Sequence, residues 1–234
     1  MKYKFITLIP AKKDSSNLKN KNKLKIKKKY LFEYPLYAAL NTSKLKNTVG
    51  ISSNSKLILE KSKKLNIKYI INRSNNLSRK SSKISTTVKH FLKIINYKKK
   101  GYNTLVLLEP TSPLTSSKIL KIAIEKYIQH YPKSKALVSL GINDKVNFNN
   151  LFSLDNGKLN NLNKSNEFEN DVIRQTHSKT YFLDGSFYIS DIDYFLKNEG
   201  FLGNLTRGYV LNKKYNFEID DKFDFDLVKD YLIN

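Results

Sequence analysis

Thr104-Leu105-Val106-Leu107-Leu108 lies near the middle of the 234-residue chain and contains no charged residue. A continuous apolar run of this length is typical of a strand that is buried on both faces of a parallel sheet. Ala136-Leu137-Val138-Ser139-Leu140 is a second run of the same kind. The two runs together predict a central sheet that is covered by helices on both faces.

Strands and helices alternate around these two runs over the first 140 residues. Further strands are predicted at residues 3–9, 47–52 and 67–71. Helices are predicted at residues 34–43, 57–65, 87–97 and 116–131. This alternation predicts an α/β fold with a Rossmann-like, mostly parallel sheet, whose strands end at a common edge where ligands bind.

The pattern weakens over residues 141–180, where Asp155-Asn156-Gly157 is typical of a hairpin turn. Regular structure is then predicted as a strand at 181–190, a helix at 191–198, an edge strand at 209–211 and a closing helix at 223–232. We therefore interpret residues 1–234 as a single domain with an excursion at residues 141–180.

The composition excludes several classes of site. The chain contains no cysteine, so disulfides, thiolate metal sites and thiol nucleophiles are excluded. His90, His130 and His177 show no metal-ligand spacing, so any metal is expected to be a hard cation with oxygen ligands. No apolar run reaches the ~20 residues needed to span a bilayer, and the first ten residues lack the features of a signal peptide. We expect a cytoplasmic protein with no membrane partner.

The chain is strongly basic, with a formal net charge of +23. Such a charge is typical of proteins that bind nucleic acid or other anions. However, only four of the 43 basic residues are arginine, and the lysines are spread over the whole chain rather than gathered in one patch. This distribution favours lysine-filled solvated faces over a nucleic-acid footprint. No nucleic-acid partner is therefore predicted.

A long polar loop, residues 10–22, follows the first predicted strand at the ligand-binding edge. Its Lys12, Ser15 and Lys21 could surround a triphosphate with positive charges and hydroxyl groups. The loop lacks the glycines of a Walker A motif, and a solvated basic loop is about as good an interpretation.

The central strand leads into Glu109-Pro110-Thr111-Ser112-Pro113-Leu114 at the same edge. Because proline fixes φ, the two prolines predict a rigid platform of the kind that often carries functional groups. A plain strand-to-helix turn with Ser and Thr caps is the alternative.

Two carboxylates stand close together in Phe217-Glu218-Ile219-Asp220-Asp221. On a strand, Glu218 and Asp220 would point to one face and would suit Mg²⁺, which takes oxygen ligands from carboxylates and substrate phosphates. The alternatives are pairing with nearby lysines or a helix cap by Asp221.

Arg174, in the irregular region, suits bidentate recognition of a carboxylate, unless it is an ordinary surface arginine.

These stretches, taken in order, resemble the CMP-nonulosonate cytidylyltransferases, which make CMP-sialic, CMP-legionaminic and CMP-pseudaminic acid. The resemblance covers nearly the whole chain, and five motifs in register carry it. The matching residues are Ile9-Pro10-Ala11-Lys12 with Ser15 and Lys21-Asn22; Arg73, Leu77-Ser78, Ser82 and His90; Glu109 to Leu114; Arg174-Gln175, Tyr181 and Asp184 to Ile189; and Glu218-Ile219-Asp220 with Asp224-Phe225.

The resemblance implies a fold of the nucleotide-diphospho-sugar transferase type and transfer of CMP from CTP to an acidic nine-carbon sugar. It also implies that the protein is a homodimer, with residues 141–180 as the dimerisation element. Lys12, Lys21 and Asp220 would be catalytic. The implied ligand contacts are Lys12, Ser15 and Lys21 on the CTP phosphates; Asn22, Arg73, Ser82 and Glu109 on cytosine and ribose; Arg174, Tyr188 and Phe201 on the sugar; and Glu218 and Asp220 on Mg²⁺.

Three positions depart from the family pattern. Lys12 replaces an arginine and so lacks the bidentate fork, Ser16 replaces a lysine, and Glu218 is one methylene longer than the usual aspartate. These departures support, as an alternative, a non-catalytic or weakly active nucleotide-binding homologue. A cytidylyltransferase for a Kdo-like sugar is a second alternative, and a plain nucleic-acid-binding protein is a third.

Overall fold

The structure is a computed structural model that describes residues 3–15, 17–65, 67–143, 151–162 and 179–233. A seven-stranded sheet forms its centre. The strands of the described residues are β1 (Phe5–Pro10), β2 (Lys25–Ile26), β3 (Lys29–Tyr30), β4 (Val49–Ser53), β5 (Tyr69–Asn72), β6 (Thr104–Leu107), β7 (Ala136–Asn143), β8 (Phe152–Asp155), β9 (Lys158–Asn161), β10 (Thr180–Asp191) and β11 (Thr206–Val210).

Five of the six helices in the described residues pack on the two faces of this sheet. They are α1 (Glu33–Leu40), α2 (Lys56–Lys64), α3 (Ile84–Ile94), α4 (Ser117–His130) and α5 (Ile192–Asn198). The sixth, α6 (Lys222–Ile233), instead packs against the β2–β3 hairpin in a third buried cluster. One buried cluster includes Leu36 of α1 and Ile124 of α4, and a second includes Phe91 of α3 and Phe195 of α5. The predicted two-faced helical cover is therefore confirmed.

The sheet has the strand order β11-β7-β10-β6-β1-β4-β5. Its pairs are parallel except for those of β10, which runs antiparallel to both of its neighbours, β6 and β7. The predicted mostly parallel sheet is confirmed, and β11 is an edge strand as predicted. Because β10 is reversed, its first half rather than its last lies at the edge where β1, β5 and β6 end.

The register of β10 shifts between Leu183 and Tyr188, and Tyr188 pairs with Leu107 at the end of β6. The intervening Gly185 has φ of +74°, a conformation that glycine adopts without steric cost. The irregularity therefore places Asp184, Gly185 and Ser186 at the ligand-binding edge of the sheet.

Local signals at two predicted elements are confirmed. The hydroxyl of Ser116 accepts a hydrogen bond from the Ile119 N–H at 3.3 Å and caps the start of α4. Strands β8 and β9 form the predicted hairpin. Asn156 and Gly157 have φ of +47° and +82°, as a two-residue hairpin turn of type I′ requires.

One prediction about an element is wrong. The segment that carries Glu218 and Asp220 is not a strand, and a single backbone bond, from Ile219 N–H to Thr111 O at 2.8 Å, connects it to the platform after β6. The short β2–β3 hairpin was not predicted.

In the described parts of the chain, no helix has the length and apolar character to cross a membrane. The dimer, and the role of residues 141–180 in it, stay predictions.

Candidate active site

A cleft of about 320 Å³ opens at the ends of β1, β5 and β6, within the ~300–1,000 Å³ range of small-molecule sites. The predicted nucleotide contacts and the predicted metal ligands all line this one cleft. They are Lys12, Ser15, Lys21, Asn22, Arg73, Ser82, Glu109, Glu218 and Asp220. The basic loop after β1 and the late acidic pair therefore meet in one site, although they lie near opposite ends of the sequence.

Lys21 joins the two sides of the cleft directly. It lies in a short 3-10 turn, Lys21–Lys23, and its side chain is only 12% exposed. Its ammonium donates to the carbonyl of Ile219 at 2.7 Å and to Oδ1 of Asp220 at 3.1 Å. This pair of bonds fixes the acidic segment against the basic loop.

Asn22 is buried, and its amide donates to the carbonyl oxygen of Lys12 at 2.8 Å. The bond ties the second half of the basic loop to its start, so the backbone at Lys12 is held in place. Lys12 lies beside the end of β1, and its side chain makes no hydrogen bond or ion pair with the described residues. Its ammonium is therefore available to an anionic ligand.

The proline-flanked platform, residues 109–114, contacts the acidic segment, residues 217–221. Thr111 donates its hydroxyl hydrogen to Oε1 of Glu218 at 3.1 Å. A Cβ atom added at Gly185 would lie 3.0 Å from the carboxyl carbon and both carboxyl oxygens of Glu218. The longer side chain of Glu218 thus occupies space that a glycine leaves open, and Thr111 fixes its orientation.

The carboxylates of the cleft perturb one another. Partial burial raises the pKa of Glu218, and repulsion from Asp220 raises it further. Burial also raises the pKa of Glu109 to about 7, with repulsion from Glu218 as the second cause and attraction by Lys21 as the first opposing one. A cation in the cleft would relieve this repulsion.

Glu218 and Asp220 fit the predicted magnesium site for two reasons. Their carboxylates supply the oxygen ligands that Mg²⁺ prefers, and a cation between them would offset their mutual repulsion. In the described residues there is no group of three or more His, Cys, Asp or Glu side chains that could hold a metal ion. A magnesium ion here would consequently take further oxygen ligands from a bound substrate, as magnesium usually does in phosphoryl-transfer sites.

Arg73 is a buried cation at the inner part of the cleft, only 5% exposed. One of its terminal nitrogens donates to the Thr87 hydroxyl at 3.1 Å, but its Nε finds no acceptor among the described residues. Burial lowers the pKa of Arg73 to about 10, and the attraction of Glu109 opposes the shift. Because a buried donor without an acceptor is costly, this guanidinium suits an oxygen-bearing ligand.

The two described residues that were predicted to contact the sugar, Tyr188 and Phe201, lie outside the lining of the cleft. Tyr188 is half-buried and its ring centroid lies 5.1 Å from that of Phe201. Phe201 is buried against Phe195, at 4.8 Å between ring centroids, which suits a supporting position behind Tyr188. Arg174 lies outside the described residues. The cleft also contains Arg79, which the sequence motifs did not single out.

The raised pKa of Glu109 makes the stability of the fold depend on pH. A carboxyl whose folded pKa is about 7 rather than 4.5 stabilises the fold fully below pH 4.5 and loses that contribution as pH rises through 7. We expect Glu109→Gln to abolish this loss. Between pH 4.5 and pH 8, the free energy of unfolding of the variant should therefore rise relative to that of wild type by up to about 3 kcal/mol. Urea unfolding of both proteins across this range measures the difference.

A matched control is Glu125→Gln, which alters an exposed carboxylate on α4. The difference in free energy of unfolding between this control and wild type should stay nearly constant with pH. A Glu109→Gln difference that is equally flat would contradict the raised pKa.

Comparisons with known proteins agree with this geometry. The cytidylyltransferase family matches the chain over residues 6–223. An N-acylneuraminate cytidylyltransferase from Escherichia coli O18:K1:H7 is 26% identical over 97% of this chain, which spans only 52% of that protein's length. A CMP-N,N'-diacetyllegionaminic acid synthase from Campylobacter jejuni is 29% identical over 97% of this chain and 93% of its own length.

Solved structures agree on the fold. A CMP:2-keto-3-deoxy-manno-octonic acid synthetase in complex with CTP superposes with a TM-score of 0.65 over 98% of both chains, at 12% sequence identity. The family match includes nearly every described strand and all four loops that form the cleft. The chain therefore belongs to the cytidylyltransferase family.

Proposed function

We propose that the chain transfers CMP from CTP to the anomeric hydroxyl of a nonulosonic acid and releases pyrophosphate, as a step in the synthesis of cell-surface glycans. The observation that carries this proposal is the meeting of Lys12 and Lys21 with Glu218 and Asp220 in one cleft. Such an arrangement provides positive charge for a triphosphate and oxygen ligands for its counter-ion. Relatives named for sialic and legionaminic acid support the sugar class.

In the proposed reaction, the anomeric oxygen forms a bond to the α-phosphorus while the bond from that phosphorus to the β-phosphate oxygen breaks. The bonding pair leaves with pyrophosphate, and the hydroxyl proton passes to solvent or to a nearby base. Lys12 and Lys21 bind the phosphates and neutralise the negative charge that grows on the leaving group. Thr111 in the segment after β6 holds Glu218 and Ile219, and Ile219 in turn accepts from Lys21, so positioning supplies much of the rate.

Glu218 and Asp220 would hold Mg²⁺, which when bound supplies charge neutralisation at the phosphates. Thr111 contributes by orienting Glu218. Lys21 contributes by holding Asp220 and the Ile219 carbonyl in place. The longer Glu218 is compatible with this role because Gly185 leaves room for its carboxylate.

The choice among nonulosonic acids rests on the segment that enters the cleft edge from β10. Asp184 is buried, and its carboxylate accepts from the Ser186 N–H at 3.2 Å and from the Ser186 hydroxyl at 2.8 Å. The Asp184-Gly185-Ser186 sequence favours a sialic or legionaminic acid over pseudaminic acid. The sugar carboxylate is proposed to bind Arg174, with Tyr188 and Phe201 shaping the pocket.

Pyrophosphate release tests the function directly. The purified protein is assayed with CTP and Mg²⁺ against sialic, legionaminic and pseudaminic acids, with Kdo as the competing sugar class. We expect turnover with at least one nonulosonic acid and much slower turnover with Kdo. The contrary result is folded protein that binds CTP without needing Mg²⁺ and releases no pyrophosphate with any sugar. It would select the non-catalytic alternative, which the departures at Lys12, Ser16 and Glu218 support.

We also propose that the protein acts as a homodimer through the excursion at residues 141–180 and the neighbouring part of β10. In support, large apolar side chains are exposed there, including Leu154 at 70%, Leu159 at 53% and Phe182 at 48%. Contiguous exposed apolar surface is typical of protein interfaces. Sedimentation at assay concentrations measures the assembly, and a monomer would contradict the proposal.

A further inference from the structure

Arg79 is one of four arginines in the chain, and it lines the cleft. Its guanidinium makes no hydrogen bond or ion pair with any described residue, although carboxylates are present in the same cleft. A guanidinium is a planar fork of donors that matches the oxygens of phosphate. An unpaired guanidinium at this position is therefore well suited to a phosphorylated ligand.

The loop that carries Arg79 is fixed by its own hydrogen bonds. The Ser78 N–H donates to the Asn75 carbonyl at 2.9 Å, and the Ser82 N–H donates to the Arg79 carbonyl at 3.1 Å. The Ser82 hydroxyl donates to the Asn76 carbonyl at 2.9 Å. The backbone on both sides of Arg79 is thus positioned before any ligand binds.

Asn54 connects this loop to the basic loop after β1. Its side-chain oxygen accepts from the Lys13 N–H at 2.8 Å, and its side-chain nitrogen donates to the Asn75 oxygen at 3.0 Å. One amide therefore bridges the end of β4 to both loops. The bridge brings the Arg79 loop alongside the loop that is proposed to hold the phosphates.

The other positive charges in the cleft are partly engaged. Lys21 already bonds the Ile219 carbonyl and Asp220, and Arg73 is buried against Thr87. Of the four lysines and arginines that line the cleft, Lys12 and Arg79 are the two whose side chains make no hydrogen bond or ion pair with described residues. Lys12 supplies charge without a fork, because it replaces the arginine of the family pattern.

We propose that Arg79 binds the triphosphate of CTP and supplies the bidentate contact that Lys12 does not. The proposal rests on the proposed function, since it requires CTP as the ligand. It adds a ligand-binding residue outside the family's motifs, on a loop that the Asn54 bridge holds in place. The contact is to the phosphates and not to the acidic sugar, so it operates in the absence of sugar.

Calorimetric titration of the full chain with CTP and with CMP, in the presence of Mg²⁺ and without sugar, tests the proposal. We expect Arg79→Ala to weaken CTP binding by about 10- to 100-fold, the typical range for a lost charge-assisted contact. CMP binding should weaken at least threefold less, because CMP lacks two of the three phosphates. Lys80→Ala is the matched control, since it removes a positive charge from the next, exposed position outside the cleft lining.

The outcomes separate this proposal from the proposed function. Wild-type protein that fails to bind CTP would contradict the function itself. Wild-type protein that binds CTP while Arg79→Ala binds it equally well, or loses CMP and CTP affinity equally, would overturn the role of Arg79 alone. Lys80→Ala matching Arg79→Ala would reduce the effect to net charge and would also overturn it. Equal thermal midpoints of all three proteins exclude misfolding as the cause.

Discussion

Asp220→Asn should reduce kcat/KM for CMP transfer by about a thousandfold, the largest effect we expect from a single substitution. The substitution keeps the size of the side chain but removes the negative charge from one of the two proposed magnesium ligands. It also makes the acceptor of Lys21 at this position a neutral amide oxygen, which weakens a charge-assisted bond of 3.1 Å. Steady-state pyrophosphate release, measured as a function of CTP and of Mg²⁺ concentration, gives both kcat/KM and the dependence on the metal.

The dependence on Mg²⁺ separates a ligand role from a structural one. Wild-type CTP affinity should rise with Mg²⁺, whereas the affinity of Asp220→Asn should hardly respond to it. Asp226→Asn is the matched control, because Asp226 follows closely on α6 and does not line the cleft. Asp220→Asn turnover within threefold of wild type would rule out the proposed role of this carboxylate.

Lys21→Met should lower kcat by about a hundredfold and also raise KM for CTP. The methionine removes the charge that is proposed to neutralise the leaving pyrophosphate. It also leaves the buried Ile219 carbonyl without its donor at 2.7 Å, which loosens the segment that carries Glu218 and Asp220. The combined change in kcat and KM is the signature of a residue that both contacts substrate and holds other groups in place.

Two further variants sharpen this prediction. Lys23→Met alters a lysine of the same 3-10 turn that is outside the cleft lining, and it should retain nearly full activity. Lys21→Arg keeps the charge with a different geometry and should fall between wild type and Lys21→Met. If Lys23→Met and Lys21→Met were equally impaired, the effect would belong to the turn and not to the ammonium.

Much of the fold follows from the sequence because buried strands and amphipathic helices have clear periodicities. The direction of β10 does not, since the pattern of side chains along a strand is the same whichever way the strand runs in the sheet. Strands β2 and β3 were missed for another reason. They are two residues long and lie in a lysine-rich stretch without an apolar period, so tertiary contacts rather than local pattern determine them.

The cleft could be predicted through its motifs, but its detailed contacts could not. The spacing of Glu218 and Asp220 led to a strand, because two acids at i and i+2 share a face only in extended structure. In the fold, contacts from Thr111 and Lys21 hold this segment instead. Arg79 falls between motif positions, and its rarity as an arginine was the available signal. Whether a side chain lacks a partner depends on the folded surroundings.

The bond between Lys21 and Asp220 joins residues 199 positions apart in sequence. During translation at roughly 5–20 residues per second, the ribosome adds Asp220 about 10 to 40 s after Lys21. Throughout that interval the Lys21 ammonium lacks the Ile219 carbonyl and the Asp220 carboxylate that it bonds in the folded protein. Arrival of the acidic segment then supplies both partners of Lys21 and leaves the Lys12 ammonium available. A chain that ended before residue 218 would contain all seven strands of the central sheet but neither of the proposed magnesium ligands.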